Sequence, residues 1–225
     1  RKLYLVVRPR PHPDFYPQEA AMLEEAGFAR ADTSMLDRYF VDISISDDEQ
    51  MKSLHQKWRA KLRAGLAHNL DIRMGDDAEK IGQFRDLFME MVDRKNLVYA
   101  GMNLVDMIPA MTKLPARMKL NLAIAHDQDG PVAGLAFGVV GDIAYYVFGA
   151  SGKRGFDKNA GYVLQWHVIR HLHAAGVARW YELGGPGDPG IRQFKRHLAG
   201  KNGLLLPVQE FHYCRDPLSR LAVKA

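Results

Sequence analysis

A single cysteine, Cys214, stands in 225 residues, so no intrachain disulfide can form and no thiolate metal cage can be built. That scarcity makes a reducing compartment the simpler expectation, and a cytoplasmic location follows. No apolar run approaches the roughly 18–20 residues that a membrane span needs. No charged, apolar and small-residue leader opens the chain, which argues against a secretory signal. The Gly-x-Ser-x-Gly elbow of hydrolases is missing as well. What remains is ordinary for a globular protein: 47% hydrophobic and 25% charged residues. The net charge of +5 points to an anionic partner, whether nucleic acid, nucleotide phosphate or an acidic wall precursor. The length allows one large domain or two small ones. The first residue is Arg1, and a strand-like run, Leu3 to Val7, follows at once, which predicts a preceding segment.

Periodicity divides the chain into alternating elements. Residues 3–8 read as a buried strand stopped by Pro9, Pro11 and Pro13. Pro17 to Ala26 reads as a helix closed at Gly27, and Tyr39 to Ile45 as a strand with Tyr39, Val41, Ile43 and Ile45 on one face. A long helix is predicted over 49–68. Met51, Leu54, Trp58, Leu62 and Leu66 give it an apolar stripe, with Lys52, His55, Arg59 and Arg63 as a basic stripe beside it. Charge stripes are more often solvated faces than sites, but Arg forks also match phosphate oxygens.

Leu70 to Met74 is the next strand, and Asp76 three residues before Glu79 predicts a capping box. Ile81, Phe84, Phe88 and Met91 line one face of the helix that follows, which ends at Asp93-Arg94-Lys95-Asn96. A short helix, kinked at Pro109, is expected over 104–114. Three strands come next (118–126, 132–140 and 143–148), joined by the turn signals Asp129-Gly130 and Gly141-Asp142.

The most informative stretch is 159–200. It reads as a helix from Tyr162 to Ala175, a stop at Gly176 and an aromatic strand Arg179 to Leu183. A loop rich in Gly and Pro follows (184–190), then a helix carrying Phe194 and Lys195. Strand, glycine loop and helix together often make a ligand edge, because backbone N–H groups collect there. A final strand is expected at 207–213, with a short tail after Pro217.

From Leu70 the order is β-α-α-β-β-β-α-β-α-β, which resembles the GNAT acyltransferases. Three stretches narrow the likeness to the Fem-type (FemABX) peptidyltransferases, which fuse two GNAT-like domains. They are Lys57-Trp58-Arg59-Ala60-Lys61-Leu62-Arg63, Asp93-Arg94-Lys95, and 159–200 with Leu164-Gln165-Trp166, Tyr181-Glu182-Leu183-Gly184-Gly185 and Phe194-Lys195. Glu182 departs from the Asp usual there, and Trp58 stands at a variable place. The resemblance implies an α/β (α+β) fold with a mixed central sheet flanked by helices. It further implies a remnant of a first GNAT-like domain at 1–46, a complete second domain at 47–205, and a closing strand and tail at 206–225.

The activity implied is aminoacyl transfer from aminoacyl-tRNA to an amine on an anionic cell-wall precursor, with acetyl-CoA as the alternative donor and no resident cofactor or metal. Such a reaction needs a neutral amine, close positioning and a stabilised oxyanion, but no protein nucleophile. Lys195 matches the family's Phe-Lys position, where its cation would hold donor phosphate or the oxyanion; a surface lysine is the plain alternative. Arg94 matches a place for acceptor phosphate, against the alternative of a helix-end cation answering the dipole. Arg59 and Arg63 are weaker candidates for the same anion. Tyr146 and Tyr162, with Tyr145, are candidates for a substrate channel, although packing explains aromatics there equally well. Glu182 is a candidate amine-orienting carboxylate. His167 and His171 are four apart on one helix but lack a third ligand, so they read as structural. For acyl-CoA, the stretch Ala150 to Gly155 lacks a clean Gln/Arg-x-x-Gly-x-Gly/Ala pyrophosphate loop. A non-catalytic RNA- or glycan-binding module is the third class, for which basic charge alone would serve.

Overall fold

Seven strands form the sheet on which everything else is hung. The computed structural model describes residues 4–31, 36–96, 104–115, 118–185 and 187–214. In chain order the elements are β1 (Tyr4–Val7), α1 (Tyr16–Glu25), β2 (Ala29–Arg30), β3 (Leu36–Asp42), α2 (Asp47–Ser53), α3 (Gln56–Leu66), β4 (Asp71–Gly75), α4 (Ala78–Lys95) and α5 (Leu104–Met111). There follow β5 (Leu120–Asp127), β6 (Gly130–Val140), β7 (Ile143–Ser151), α6 (Lys153–Asp157), α7 (Ala160–Ala175), β8 (Trp180–Glu182), α8 (Pro189–Ala199), β9 (Leu204–Val208) and β10 (Phe211–Cys214). The large sheet runs β4-β5-β6-β7-β8-β3-β9, antiparallel except where β7 meets β8. This is the mixed sheet expected of a GNAT fold. A small sheet, β1-β10-β2, stands apart from it.

Alternation along the strands serves two helical layers at once. In β5, Ala123 and Ala125 face α3, α7 and α8, where Trp58, Leu62, Leu164 and Leu198 close the larger core. Leu122 and Ile124 point the other way, onto Phe84 and Leu87 of α4 and Ile108 of α5. Each large side chain so buried contributes about 1.5–3 kcal/mol relative to exposure. Helices α3 and α7 touch closely because residue 65 is glycine: a Cβ there would come within 2.7 Å of the Val163 side chain.

Several expectations need correction. The helix expected over 49–68 is two helices, because Leu54 takes an extended conformation (φ −54°, ψ 142°). The His55 ring then caps α3 by accepting from the Lys57 amide at 3.3 Å. Across the break, Arg59 Nη1 donates to the carbonyls of Met51, Lys52 and Leu54 at 3.3, 3.1 and 3.1 Å, satisfying the orphan acceptors that end α2. Leu54, Trp58 and Leu62 are buried as expected, whereas Leu66, the last residue of α3, is exposed.

Strand β1 is not buried: Leu5 and Val6 are exposed because it forms the edge of the small sheet. The final strand is likewise two, β9 in the large sheet and β10 in the small one. Pro207 is tolerated there because β9 is an edge strand. The cap of α4 is Asp77, which accepts from the Lys80 amide at 3.0 Å, while Asp76 pairs with Lys119 instead. Helix α6 was not expected at all. The predicted tail after Pro217 lies outside the described residues.

Candidate active site

Strands β7 and β8 pair over three residues and then part. Ile143, Ala144 and Tyr145 lie opposite Trp180, Tyr181 and Glu182, and no ladder pair follows among the described residues. Strand β7 continues along β6 to Ser151, whereas the chain after β8 turns to β3, the Leu183 amide donating to Tyr39 O at 2.9 Å. A bulge lies at the parting point. Ala136 faces Phe148 and Phe137 faces Tyr146, which leaves Val147 as the extra residue.

A cavity of about 620 Å³ opens where the strands part. Its cationic wall is Lys61 of α3 with Arg94 and Lys95 of α4, and Tyr146, Phe156 and Tyr162 supply aromatic surface. A smaller pocket of about 290 Å³ shares Tyr146, Gln165 and Phe194 with it and is closed by Lys195. Gly149 keeps this region passable, since a Cβ there would fall 2.3 Å from the Tyr146 hydroxyl. Burial pushes that hydroxyl's pKa up to about 12. Next to it the Tyr181 hydroxyl donates to Gln165 Oε1 at 2.9 Å, fixing the pocket's polar floor.

Lys195 is the unusual group, only 7% exposed. Its Nζ donates to the Gly185 carbonyl and lies 5.8 Å from the centre of the Tyr146 ring. Burial lowers its pKa to about 8; Glu182 opposes that shift and Arg38 adds to it. Glu182 is buried, with its carboxylate 3.1 Å from Arg38 Nη1 and 3.8 Å from Arg10 Nη1.

The other sequence candidates divide by location. Arg94 lies on the cavity wall, donating from Nη2 to Ser151 O at 2.9 Å, with its guanidinium 5.8 Å from the Phe156 ring. Tyr162 also faces the cavity, wedged between Trp58 and Phe194 with ring centres 5.1 and 5.0 Å away. Burial raises the pKa of its hydroxyl. Arg59 is not at the cavity, because its guanidinium ties α2 to α3; it lines a separate pocket with His55 and Arg196. Arg63 is exposed on α3 and lines neither the cavity nor the Lys195 pocket. His167 and His171 are exposed, and no group of three metal-ligating side chains occurs among the described residues.

Two helix starts frame the far end of the cavity. Helix α6 begins at Gly152, and the Lys153 amide donates to Glu90 Oε1 at 2.8 Å. It is pinned to the sheet by Asp127, whose carboxylate binds Arg154 at 2.6 Å and Lys158 at 2.5 Å. It also needs glycine at 155, where a Cβ would sit 2.1 Å from the Val132 carbonyl. Helix α7 starts at Asn159, in the left-handed region (φ 54°), and no side chain caps it. Asn159 and Gly161 both line the cavity, so its positive end faces the empty space.

The model of the Acetyltransferase (GNAT) domain matches residues 50–196. The chain belongs to this GNAT family. No curated protein matches it by sequence. Among solved structures, FemX matches with a TM-score of 0.78 at 15% identity, over 97% of this chain and 74% of that one. The C-terminal domain of a putative lysylphosphatidylglycerol synthetase from Agrobacterium fabrum matches with 0.63 at 13% identity, over 99% and 83%. L-PGS from Bacillus licheniformis matches with 0.57 at 13% identity, over 92% and 68%. At these identities the likeness is one of fold.

As a GNAT-type acyltransferase fold, the arrangement suits transfer of an acyl group to an amine: a gap between strands, a buried cation and a helix start beside it. The residues missed from sequence are Lys61, Arg38, Arg10, Phe156 and Glu90. Nothing in spacing could bring Arg38 to Glu182 from 144 positions away. Gln165 did carry a signal, as a polar residue inside the apolar stripe of α7.

Proposed function

We propose that the chain transfers an aminoacyl group from aminoacyl-tRNA to an amine of a peptidoglycan precursor. The observation that carries this is Lys195, a buried ammonium beside the gap between β7 and β8 with no carboxylate in direct contact among the described residues. The acceptor's neutral nitrogen attacks the ester carbonyl carbon, and negative charge grows on the carbonyl oxygen. The C–O bond to the ribose then breaks; the ribose oxygen leaves with a proton and the nitrogen gives one up. Lys195 supplies a cation for the oxyanion from a buried position, where such an interaction is stronger than in water. Arg94 and Lys61 face the same cavity and suit phosphate on donor or acceptor. The FemX likeness supports this reading, which places the chain in the cytoplasm with charged tRNA.

An acyl-CoA donor is the second reading, favoured by the uncapped start of α7 at the cavity. A helix start of this kind holds pyrophosphate well. The test offers the chain tRNA charged with labelled amino acid together with a UDP-linked wall peptide, and in parallel labelled acetyl-CoA. Label passing from tRNA to the peptide, and lost in Lys195→Ala, is the expected result. Label passing only from acetyl-CoA would replace the first reading by the second.

A further inference from the structure

Beyond the acyl-transfer cavity, the face between α3 and α8 carries two more depressions of about 570 Å³ each. The first shares Lys61, Tyr162, Gly190 and Phe194 with the cavity and adds Lys57. The second shares His197 with the first and adds His55, Arg59, Arg196 and Lys201. The three adjoin through these shared walls, a row of depressions leading from the site of chemistry out across α3 and α8 that we call the trench. Neither outer depression is lined by an Asp or Glu.

The cations along this trench face no carboxylate in its outer lining, although Arg63, Arg85 and Arg192 outside it are unpaired among the described residues as well. Lys57, Lys61, Arg196 and Lys201 make no ion pair among the described residues, although Arg8, Arg73, Arg154 and Arg170 each have a carboxylate partner. Aromatic surface is spaced between the charges. The rings of His55 and His197 stack face to face, 3.9 Å apart and 11° from parallel. Burial, helped by His55, Arg196 and Lys57, lowers the pKa of His197 and so favours its neutral form. At the cavity end, the Phe156 ring is 70% exposed beside Arg94.

Unpaired cations that follow a row of depressions, interleaved with partly exposed rings, match the needs of single-stranded nucleic acid. Cations follow its phosphates, and its bases stack on rings without regard to sequence. A compact anion would need one depression, not three in a row. We infer that the α3–α8 trench binds the single-stranded 3′ end of RNA and feeds its terminus into the cavity. The inference rests on the aminoacyl-tRNA reading for the identity of the RNA, and adds the surface that holds it.

The test measures binding of the full chain to a fluorescent single-stranded RNA about 12 nucleotides long, ending in CCA, across a salt series. The variant Lys57→Ala/Arg196→Ala/Lys201→Ala changes only exposed side chains. A control, Arg30→Ala/Arg73→Ala/Arg170→Ala, removes equal charge away from the trench. At moderate salt the trench variant is expected to bind at least about 10-fold more weakly, with the log–log salt slope reduced by about 2. The control should change little. Equal loss in both variants, or none in the trench variant, overturns the inference. So does a trench variant that loses only the UDP-linked wall peptide, which would assign the trench to that ligand.

The same proteins are assayed for transfer from aminoacyl-tRNA. If transfer proceeds with an unchanged KM for tRNA in the trench variant, the inference fails and the functional reading stands. If RNA binding depends on the trench but no aminoacyl transfer occurs, the reading fails and the trench stands.

Discussion

Two groups of cations on this molecule have opposite surroundings. Arg154 and Lys158 converge on Asp127, a carboxylate whose side chain is only 5% exposed, and together they fasten α6 to the sheet. Lys57, Lys61, Arg196 and Lys201 line a trench whose two outer depressions contain no carboxylate. With Asp129 also 3.5 Å from Arg154, two cations meet two carboxylates, and the first group has little charge left for a ligand. The second keeps its charge facing open space, which costs self-repulsion and is repaid only when an anion arrives. The net charge of +5 is therefore a poor guide, because location decides which cations are available. Lys195 is a third case, buried and held by a carbonyl and a ring.

The comparison can be broken most severely at Lys195. Replacing it with Ala is expected to lower the transfer rate by about 100-fold or more, the scale for losing an oxyanion-stabilising group. Lys195→Met, by contrast, should fold more stably, because it no longer buries an ammonium; the expected gain in Tm is roughly 2–4 °C by calorimetry. A variant that loses activity and also melts earlier would make Lys195 structural instead.

The pH profile sharpens the same point. With its pKa lowered to about 8, Lys195 is charged below that pH and neutral above it. The transfer rate should therefore fall as pH rises through about 8, and Lys195→Arg should remove that limb. Stability moves the other way. Between about 8 and the ordinary lysine range the unfolded chain binds more protons, so this group's contribution to stability rises with pH there.

Arg94→Ala comes next, with an expected loss of about 10-fold in kcat/KM carried mainly by KM, as for a charged contact made in substrate binding. Asp127→Asn should lower the melting temperature and leave RNA affinity unchanged, since its partners serve α6 and not the trench. Hydrogen bonding from Lys158 holds the Asp127 carboxyl below the usual range, so its contribution is present near neutrality and is lost as pH falls. Arg63→Ala should alter neither transfer nor RNA binding by more than about 2-fold, being an exposed residue away from both surfaces.

Much of the fold was legible because it is local. The β5-β6-β7 meander announces itself through alternation and turns, and α7 through its stripe and the left-handed Gly176. The break at Leu54 was hidden, since the apolar spacing runs straight through it. What holds it is the His55 cap, the distant His197 carbonyl that the His55 amide meets, and Arg59's reach back to three carbonyls. That reach also withdraws Arg59 from the cavity, although in sequence it stands beside Lys61, which does face it. Of the side chains expected at one site, the fold brings Lys195, Arg94, Tyr146 and Tyr162 to two pockets that share walls and leaves Arg59, Arg63 and Glu182 outside their linings. Sequence could not show the trench, whose walls come from α3 and α8 more than a hundred positions apart.

The parting of β7 from β8 has a mechanical meaning. From Tyr146 onward, one margin of β7 has no ladder partner in β8 among the described residues, an open margin inside the sheet and not at its β4 or β9 edge. An extended ligand backbone lying in that seam would act as a temporary strand, borrowing amides and carbonyls that the chain leaves open. Occupancy and rigidity would then be one property, because such a ligand would finish the sheet that it binds.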